Sequence, residues 1–399
     1  MGLLATPSGE RVHIGFFGVR NAGKSSVVNA VTGQDLAVVS NVAGTTTDPV
    51  SKAMELLPLG PVVIVDTPGM DDEGGLGELR VRKARQALRR CDVAVLVVDA
   101  TRGLTQADRM LLDEFSDRRL PYLVALNKAD LLKGDAPELA PNEVLVSARE
   151  GSGIHELKER LGALAADAGH RRLIVSDLLE EGDVVVLVCP IDASAPKGRL
   201  ILPQQLVLRD VIDAHASALV CQPAELAGVL EQLARPPRVV ITDSQAFGEV
   251  ARIVPRDVAL TSFSILMARY KGNLPALVEG AKRLSSLADD SRVLIAEGCT
   301  HHRQCEDIGT VKMPAWIRQH CGASPEFSFT SGGEFPDDLS AYDLVVHCGG
   351  CMLNEREMAH RMATATAAGV PMVNYGVAIA QMHGILARSL EPFATVTNA

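Results

Sequence analysis

The stretch Gly18-Val19-Arg20-Asn21-Ala22-Gly23-Lys24-Ser25 spaces two glycines, a lysine and a hydroxyl so that backbone N–H groups can close around phosphate oxygens. Lys24 is then set for the terminal phosphates and Ser25 for Mg²⁺, with positive potential from the helix that opens at Ser26. Asp66-Thr67-Pro68-Gly69 follows an apolar run, which puts Asp66 on Mg²⁺ through water and Gly69 against the last phosphate. Asn127-Lys128-Ala129-Asp130 follows another, and the Asp130 carboxylate suits the two N–H donors on the edge of guanine, a pair that adenine lacks. Ser147-Ala148 completes the base pocket. Four matches in this order predict a site for GTP with Mg²⁺, made by Gly18, Asn21, Gly23, Lys24, Ser25, Ser26, Asp66, Asn127, Lys128, Asp130, Ser147 and Ala148. Met70 stands where Ras-type enzymes carry a water-orienting glutamine, so hydrolysis is expected to be slow. A bound K⁺ or a carboxylate from Asp71, Asp72 or Glu73 would substitute, unless those acids are only a solvated loop.

A second group of residues has metal-ligand chemistry. His347-Cys348-Gly349-Gly350-Cys351 puts two thiols on one turn, and Cys299-Thr300-His301-His302-Arg303-Gln304-Cys305 supplies more sulfur and imidazole upstream. Each group begins where an apolar run ends, and in a parallel sheet those ends lie along one edge, so the loops can converge. Three thiolates and a histidine satisfy Zn²⁺; soft thiolates equally suit an iron–sulfur cluster, and spacing alone does not choose. Cys305 is a further sulfur within reach of either.

Both groups need a scaffold that brings strand ends together. Unbroken apolar runs at 12–17, 62–65, 93–98, 122–126, 144–146, 184–188, 239–241, 293–296 and 344–346 alternate with helical stretches, the pattern of strands buried on both faces. The fold class is therefore α/β: a phosphate-loop domain followed by two further α/β domains with mainly parallel sheets. Composition shifts near 167–172 and 262–272 divide the chain into 1–172 (nucleotide domain), 173–262 (middle domain) and 263–399 (cysteine-bearing domain). With 399 residues, 47% of them hydrophobic, burying a core poses no difficulty. The net charge of −10 argues against a nucleic-acid partner, and the basic run Arg80–Arg90 reads as a solvated helix face. No apolar stretch is long enough for a membrane span, and a cytoplasmic protein is expected. Eight cysteines in such a compartment point to metal or redox chemistry before disulfides, with Cys91 and Cys189 reading as small buried hydrophobes.

The phosphate-loop portion resembles the translation-factor-like bacterial GTPases, in the branch with the tRNA-modifying and ribosome-assembly enzymes. Gly44-Thr45-Thr46-Thr47-Asp48 is similar to that group's first switch. The resemblance implies Thr46 as second Mg²⁺ ligand, a hydrolytic set of Lys24, Thr46 and Gly69, and Asn21 as a K⁺ ligand with K⁺-stimulated turnover. A GTPase followed by Cys299-Thr300-His301 and a distant His347-Cys348-Gly349-Gly350-Cys351 resembles, over essentially the whole chain, the HydF family, the GTPase maturation factors of FeFe-hydrogenase. That likeness implies a 4Fe–4S cluster on Cys299, Cys348 and Cys351, with His347 or His301 in an exchangeable fourth position and Cys305 outside the pattern. It also implies a homodimer formed through the middle domain, and a diiron precursor carried between two radical-SAM maturases and apo-hydrogenase. The competing expectation is an RNA-linked GTPase with a structural zinc, which the acidic balance opposes.

Overall fold

The computed structural model describes residues 8–34, 50–67, 84–132, 137–168, 173–191, 200–298, 308–350 and 353–393. The chain divides into two compact units, Thr6–Arg171 and Arg172–Ala399.

The first unit is built on a six-stranded sheet: β1 (Val12–Phe17), β2 (Val50–Leu56), β3 (Gly60–Asp66), β4 (Val93–Asp99), β5 (Tyr122–Asn127) and β6 (Glu143–Leu145). Their spatial order is β2-β3-β1-β4-β5-β6, with β2 antiparallel to β3 and every other pair parallel. Alternate residues of each central strand enter opposite cores. Phe16, Ile64 and Val95 pack with Leu157 and Leu161 on one face, while Phe17, Val65 and Leu96 pack with Leu111 and Phe115 on the other. Helices cover both faces, which is why these strands read as continuous apolar runs. Cys91 is wholly buried and its thiol donates to the Ala87 carbonyl, as expected of a structural cysteine.

The second unit contains two four-stranded, all-parallel sheets. One runs β10-β9-β7-β8 (Ala259–Ser262, Val239–Thr242, Val184–Val188, Ser217–Cys221) and the other β12-β11-β13-β14 (Glu326–Thr330, Arg292–Ala296, Leu344–His347, Met372–Asn374). A single apolar core runs between them through the helices Phe263–Lys271 and Leu274–Lys282. The helix Leu202–Asp213 opens with Pro203 in its first turn, where the ring is suited, and the Gln204 side chain accepts the Ile201 N–H. The helix Leu274–Lys282 continues as a 3₁₀ turn, Arg283–Ser286. No helix among the described residues is long and apolar enough to cross a membrane.

Candidate functional site

In the first unit, the predicted nucleotide residues gather at the carboxyl ends of β1, β3, β5 and β6. Gly23 takes a left-handed backbone (φ 87°) at the start of the helix Lys24–Thr32, which carries Ser25 and Ser26 in its first turn; Asn21 is left-handed as well (φ 64°). Gly18 leaves β1 where its backbone passes directly against the Val97 carbonyl. The Lys24 ammonium pairs with the Asp66 carboxylate at the end of β3. The next residue, Thr67, anchors that strand end by donating to the Phe16 carbonyl at 2.7 Å.

The base side is tied together by buried amide chemistry. Asn127 donates through Nδ2 to the Ala22 carbonyl (3.0 Å) and accepts the Ala148 N–H at Oδ1 (3.1 Å), so one side chain joins the phosphate loop to the segment after β6. Ser147 Oγ donates to Asp130 Oδ1 at 2.6 Å, which fixes the carboxylate expected to read guanine. Lys128 is left-handed (φ 68°), and its Nζ lies 2.6 Å from Asp99 Oδ2. Asp99, at the end of β4, was not among the predicted residues. Burial alone would raise its pKa, but the bonds from Lys128 and Thr101 outweigh burial and hold the carboxyl below the usual range. Its signal in the sequence is the one the other site residues share, a polar residue closing an apolar strand. Thr46, Gly69 and Met70 lie outside the described residues.

In the second unit the predicted cysteine loops leave adjacent strands. β11 and β13 pair in parallel with Ala296 opposite His347, and the Cys348 N–H donates to the Ala296 carbonyl at 2.9 Å. The Gly298 N–H, one residue before Cys299, points at Cys348 Sγ (3.0 Å), and the Gly350 N–H approaches the same sulfur at 3.4 Å. Gly298 has no room for a side chain, since a Cβ there would lie 2.7 Å from Leu353. A sulfur that accepts two backbone N–H bonds is stabilised as the thiolate, the form that binds iron or zinc, so Cys348 fits a metal-cluster ligand. Cys299, His301, Cys305 and Cys351 lie outside the described residues, and no group of three metal-binding side chains occurs among those described.

His347 is fully buried at the end of β13. Its Nδ1 lies 2.7 Å from the Cys348 carbonyl and its Nε2 lies 2.9 Å from Arg361 Nη1. Burial, with the Arg361 charge added, pushes its pKa down to about 3, so the imidazole is neutral. The loop is held at its far end by Lys271, a buried lysine whose Nζ donates to the Leu353 carbonyl at 2.9 Å. Neither Lys271 nor Arg361 carries a signal in the sequence: Lys271 lies 82 residues before the Leu353 carbonyl that it bonds, and Arg361, 14 residues after His347, meets the imidazole only through tertiary packing.

Comparison with known proteins gives three family matches. Residues 174–272 match the hydrogen maturase F dimerization domain, residues 275–392 the hydrogen maturase F tetramerization domain, and residues 13–128 a 50S ribosome-binding GTPase family. The first two together span more than half of the 399 residues. Among curated proteins, the tRNA modification GTPase MnmE of Xanthomonas euvesicatoria pv. vesicatoria is 41% identical over 159 residues, 40% of this chain and 35% of that protein. MnmE of Chromobacterium violaceum is 37% identical over 169 residues, 40% of this chain and 37% of that protein. The chain therefore spans little more than a third of the length of these relatives. Among solved structures, a variant of Aquifex aeolicus Era bound to GDP and AlF₄⁻ is 18% identical, with a TM-score of 0.35 over 60% of this chain and 97% of that one. NFeoB of S. thermophilus, bound to GDP, AlF₄⁻ and K⁺, is 23% identical, with a TM-score of 0.32 over 40% of this chain and 65% of that one.

Proposed function

Because the chain belongs to the hydrogen maturase F family, we propose that it is a GTP-hydrolysing scaffold that holds a 4Fe–4S cluster and carries a diiron precursor for FeFe-hydrogenase. The observation that carries this reading is the contact between the Gly298 N–H and Cys348 Sγ at 3.0 Å, which joins the ends of the two strands that lead into the predicted ligand loops. Cys299, Cys348 and Cys351 would hold the cluster, which when bound supplies an iron site able to take an external ligand. This chain's own contribution is to present thiolates from two loops on one rigid sheet edge, with Lys271 and Arg361 fixing the second loop from behind.

In the nucleotide domain, Lys24 and Asp66 neutralise each other. GTP with Mg²⁺ offers each a stronger partner, the ammonium turning to the terminal phosphates and the carboxylate to the metal, while Asp130, braced by Ser147, takes the guanine edge. Ser25 and Thr46 would complete the Mg²⁺ shell, Gly69 would report on the last phosphate, and Asn21 would hold a stimulatory K⁺. Turnover is slow, since Met70 cannot orient water.

Self-association follows from the dimerization and tetramerization domains. In the first sheet of the second unit, β10 is covered by the segment Leu386–Phe393, with Thr261 donating to the Ser389 carbonyl, whereas β8 leaves Leu219 and Val220 exposed. We assign the dimer contact to β8 and divide the chain functionally at 172 and 262. The further partners of the scaffold are the two radical-SAM maturases and apo-hydrogenase, in the cytoplasm.

The test is anaerobic reconstitution of the full chain with iron and sulfide, followed by absorption and EPR. Brown protein with a reduced-cluster signal that Cys348→Ala abolishes is expected. Colourless protein with stoichiometric zinc would overturn the reading in favour of a structural zinc site.

A further inference from the structure

Behind the loop that carries Cys348 lies a buried polar chain, Glu357–Arg361–His347. Arg361, on the helix Glu355–Ala367, is fully enclosed. Its guanidinium reaches three elements: Nε donates to Glu357 Oε1 (2.8 Å), Nη2 to the Gly332 carbonyl (2.8 Å) and Nη1 to His347 Nε2 (2.9 Å). The Phe335 ring packs against the guanidinium at 5.0 Å. An arginine so enclosed and so fully directed cannot swing away without leaving buried donors and the Glu357 carboxylate unpaired.

The partners of His347 each have only one hydrogen-bonding role. A carbonyl only accepts, so Nδ1, which faces the Cys348 carbonyl, carries the proton. A guanidinium only donates, so the lone pair on Nε2 is directed to Arg361. Metal ligation needs an unprotonated ring nitrogen with its lone pair free, and His347 has none left. The residue next to Cys348 that the spacing offers as a ligand is thus turned into the protein.

We propose that Arg361 is a positioning residue that withholds His347 from the inorganic group on Cys348 and so keeps one iron position open to an external ligand. This rests on the cluster reading above. It concerns which of the chain's own side chains are denied to the metal, and imidazole serves as the probe for the open position.

The experiment uses full-length protein, reconstituted and reduced, in four forms: parent, His347→Gln, Arg361→Met with Glu357→Met, and the three changes combined. Glutamine keeps an acceptor for Arg361 Nη1, and the paired methionines avoid stranding a carboxylate. Pulsed EPR reads nitrogen coupling to the cluster, and a titration reads the response to added imidazole. His347→Gln is expected to leave the parent's couplings and imidazole response unchanged. Arg361→Met with Glu357→Met is expected to add a nitrogen coupling and weaken imidazole binding by about tenfold or more, because the freed ring now competes for the site. The combined variant should lose the added coupling and regain the parental response, which a merely structural role for Arg361 would not produce.

A parental nitrogen coupling that disappears in His347→Gln overturns the proposal, as does a folded Arg361→Met, Glu357→Met protein with parental spectra. If that variant does not fold, the comparison of parent with His347→Gln decides alone. A parent that takes up no cluster defeats the scaffold reading itself, a result distinct from either spectrum.

Discussion

Gly23→Ala adds one methyl group at the junction of the phosphate loop and the guanine pocket. The position is left-handed (φ 87°), and the new Cβ would sit 2.2 Å from Asn127 Nδ2, more than an ångström inside ordinary contact. Asn127 cannot step aside freely, because its amide bridges the Ala22 carbonyl and the Ala148 N–H. The left-handed backbone costs a side-chain-bearing residue roughly 1–2 kcal/mol. Each buried bond lost adds about 1 kcal/mol, for about 3–4 kcal/mol together. In the free protein the loop can relax, but GTP requires it restored, so the cost falls on affinity as roughly a hundredfold to thousandfold rise in Kd. The control is Gly33→Ala, at the other end of the same helix, which is also left-handed (φ 65°) but has nothing within 4 Å of its Cβ. That change should lower stability by about 1 kcal/mol and move Kd by no more than about threefold. Calorimetric titration with a non-hydrolysable GTP analogue at fixed Mg²⁺ measures both. Binding by Gly23→Ala within about threefold of the parent would refute the coupling of phosphate loop and base pocket through Asn127, as would an equal loss in Gly33→Ala.

Three further expectations follow from the second unit. Burial, followed by the nearby Asp243 and Cys221, pushes the Cys189 thiol up to about 12. Its folded pKa lies above its unfolded value of 9.0, so the stability it contributes is complete below pH 9 and lost as pH rises towards about 12. At pH 8, alkylation of Cys189 followed by mass spectrometry should be roughly a thousandfold slower in the folded than in the denatured chain; comparable rates would contradict its burial. Val220→Lys places a charge on the exposed edge of β8 and should shift light-scattering mass towards the monomer with circular dichroism unchanged; an unaltered oligomer would move the contact elsewhere. Gly280→Ala would gain about 1 kcal/mol of helix propensity. Its Cβ would nevertheless lie 2.1 Å from the Met372 carbonyl of β14, and such overpacking costs typically 1–3 kcal/mol. A lower Tm is expected, and a higher one would mean that the helix Leu274–Lys282 can lift off the sheet.

The linear sequence determined whatever depends on residues near one another along the chain. The phosphate loop, Asp66 and the Asn127–Asp130 segment each close a strand that is buried on both faces, and burial on both faces writes itself as an unbroken apolar run, while Ser147 follows the short edge strand β6, marked by its own apolar run. The same logic located β11 and β13 and so put Gly298 beside Cys348. Tertiary structure decided the rest. β2, β8, β10, β12 and β14 are all edge strands; they have one neighbour instead of two, carry mixed or polar residues, and are made into strands by the sheet that receives them. The state of His347 likewise depends on Arg361 and on the local turn of the Cys348 carbonyl, and that of Lys128 on Asp99. Spacing can offer an imidazole to a metal. Only the packed interior directs its lone pair to a guanidinium, because a buried donor must find an acceptor wherever the fold brings one within reach.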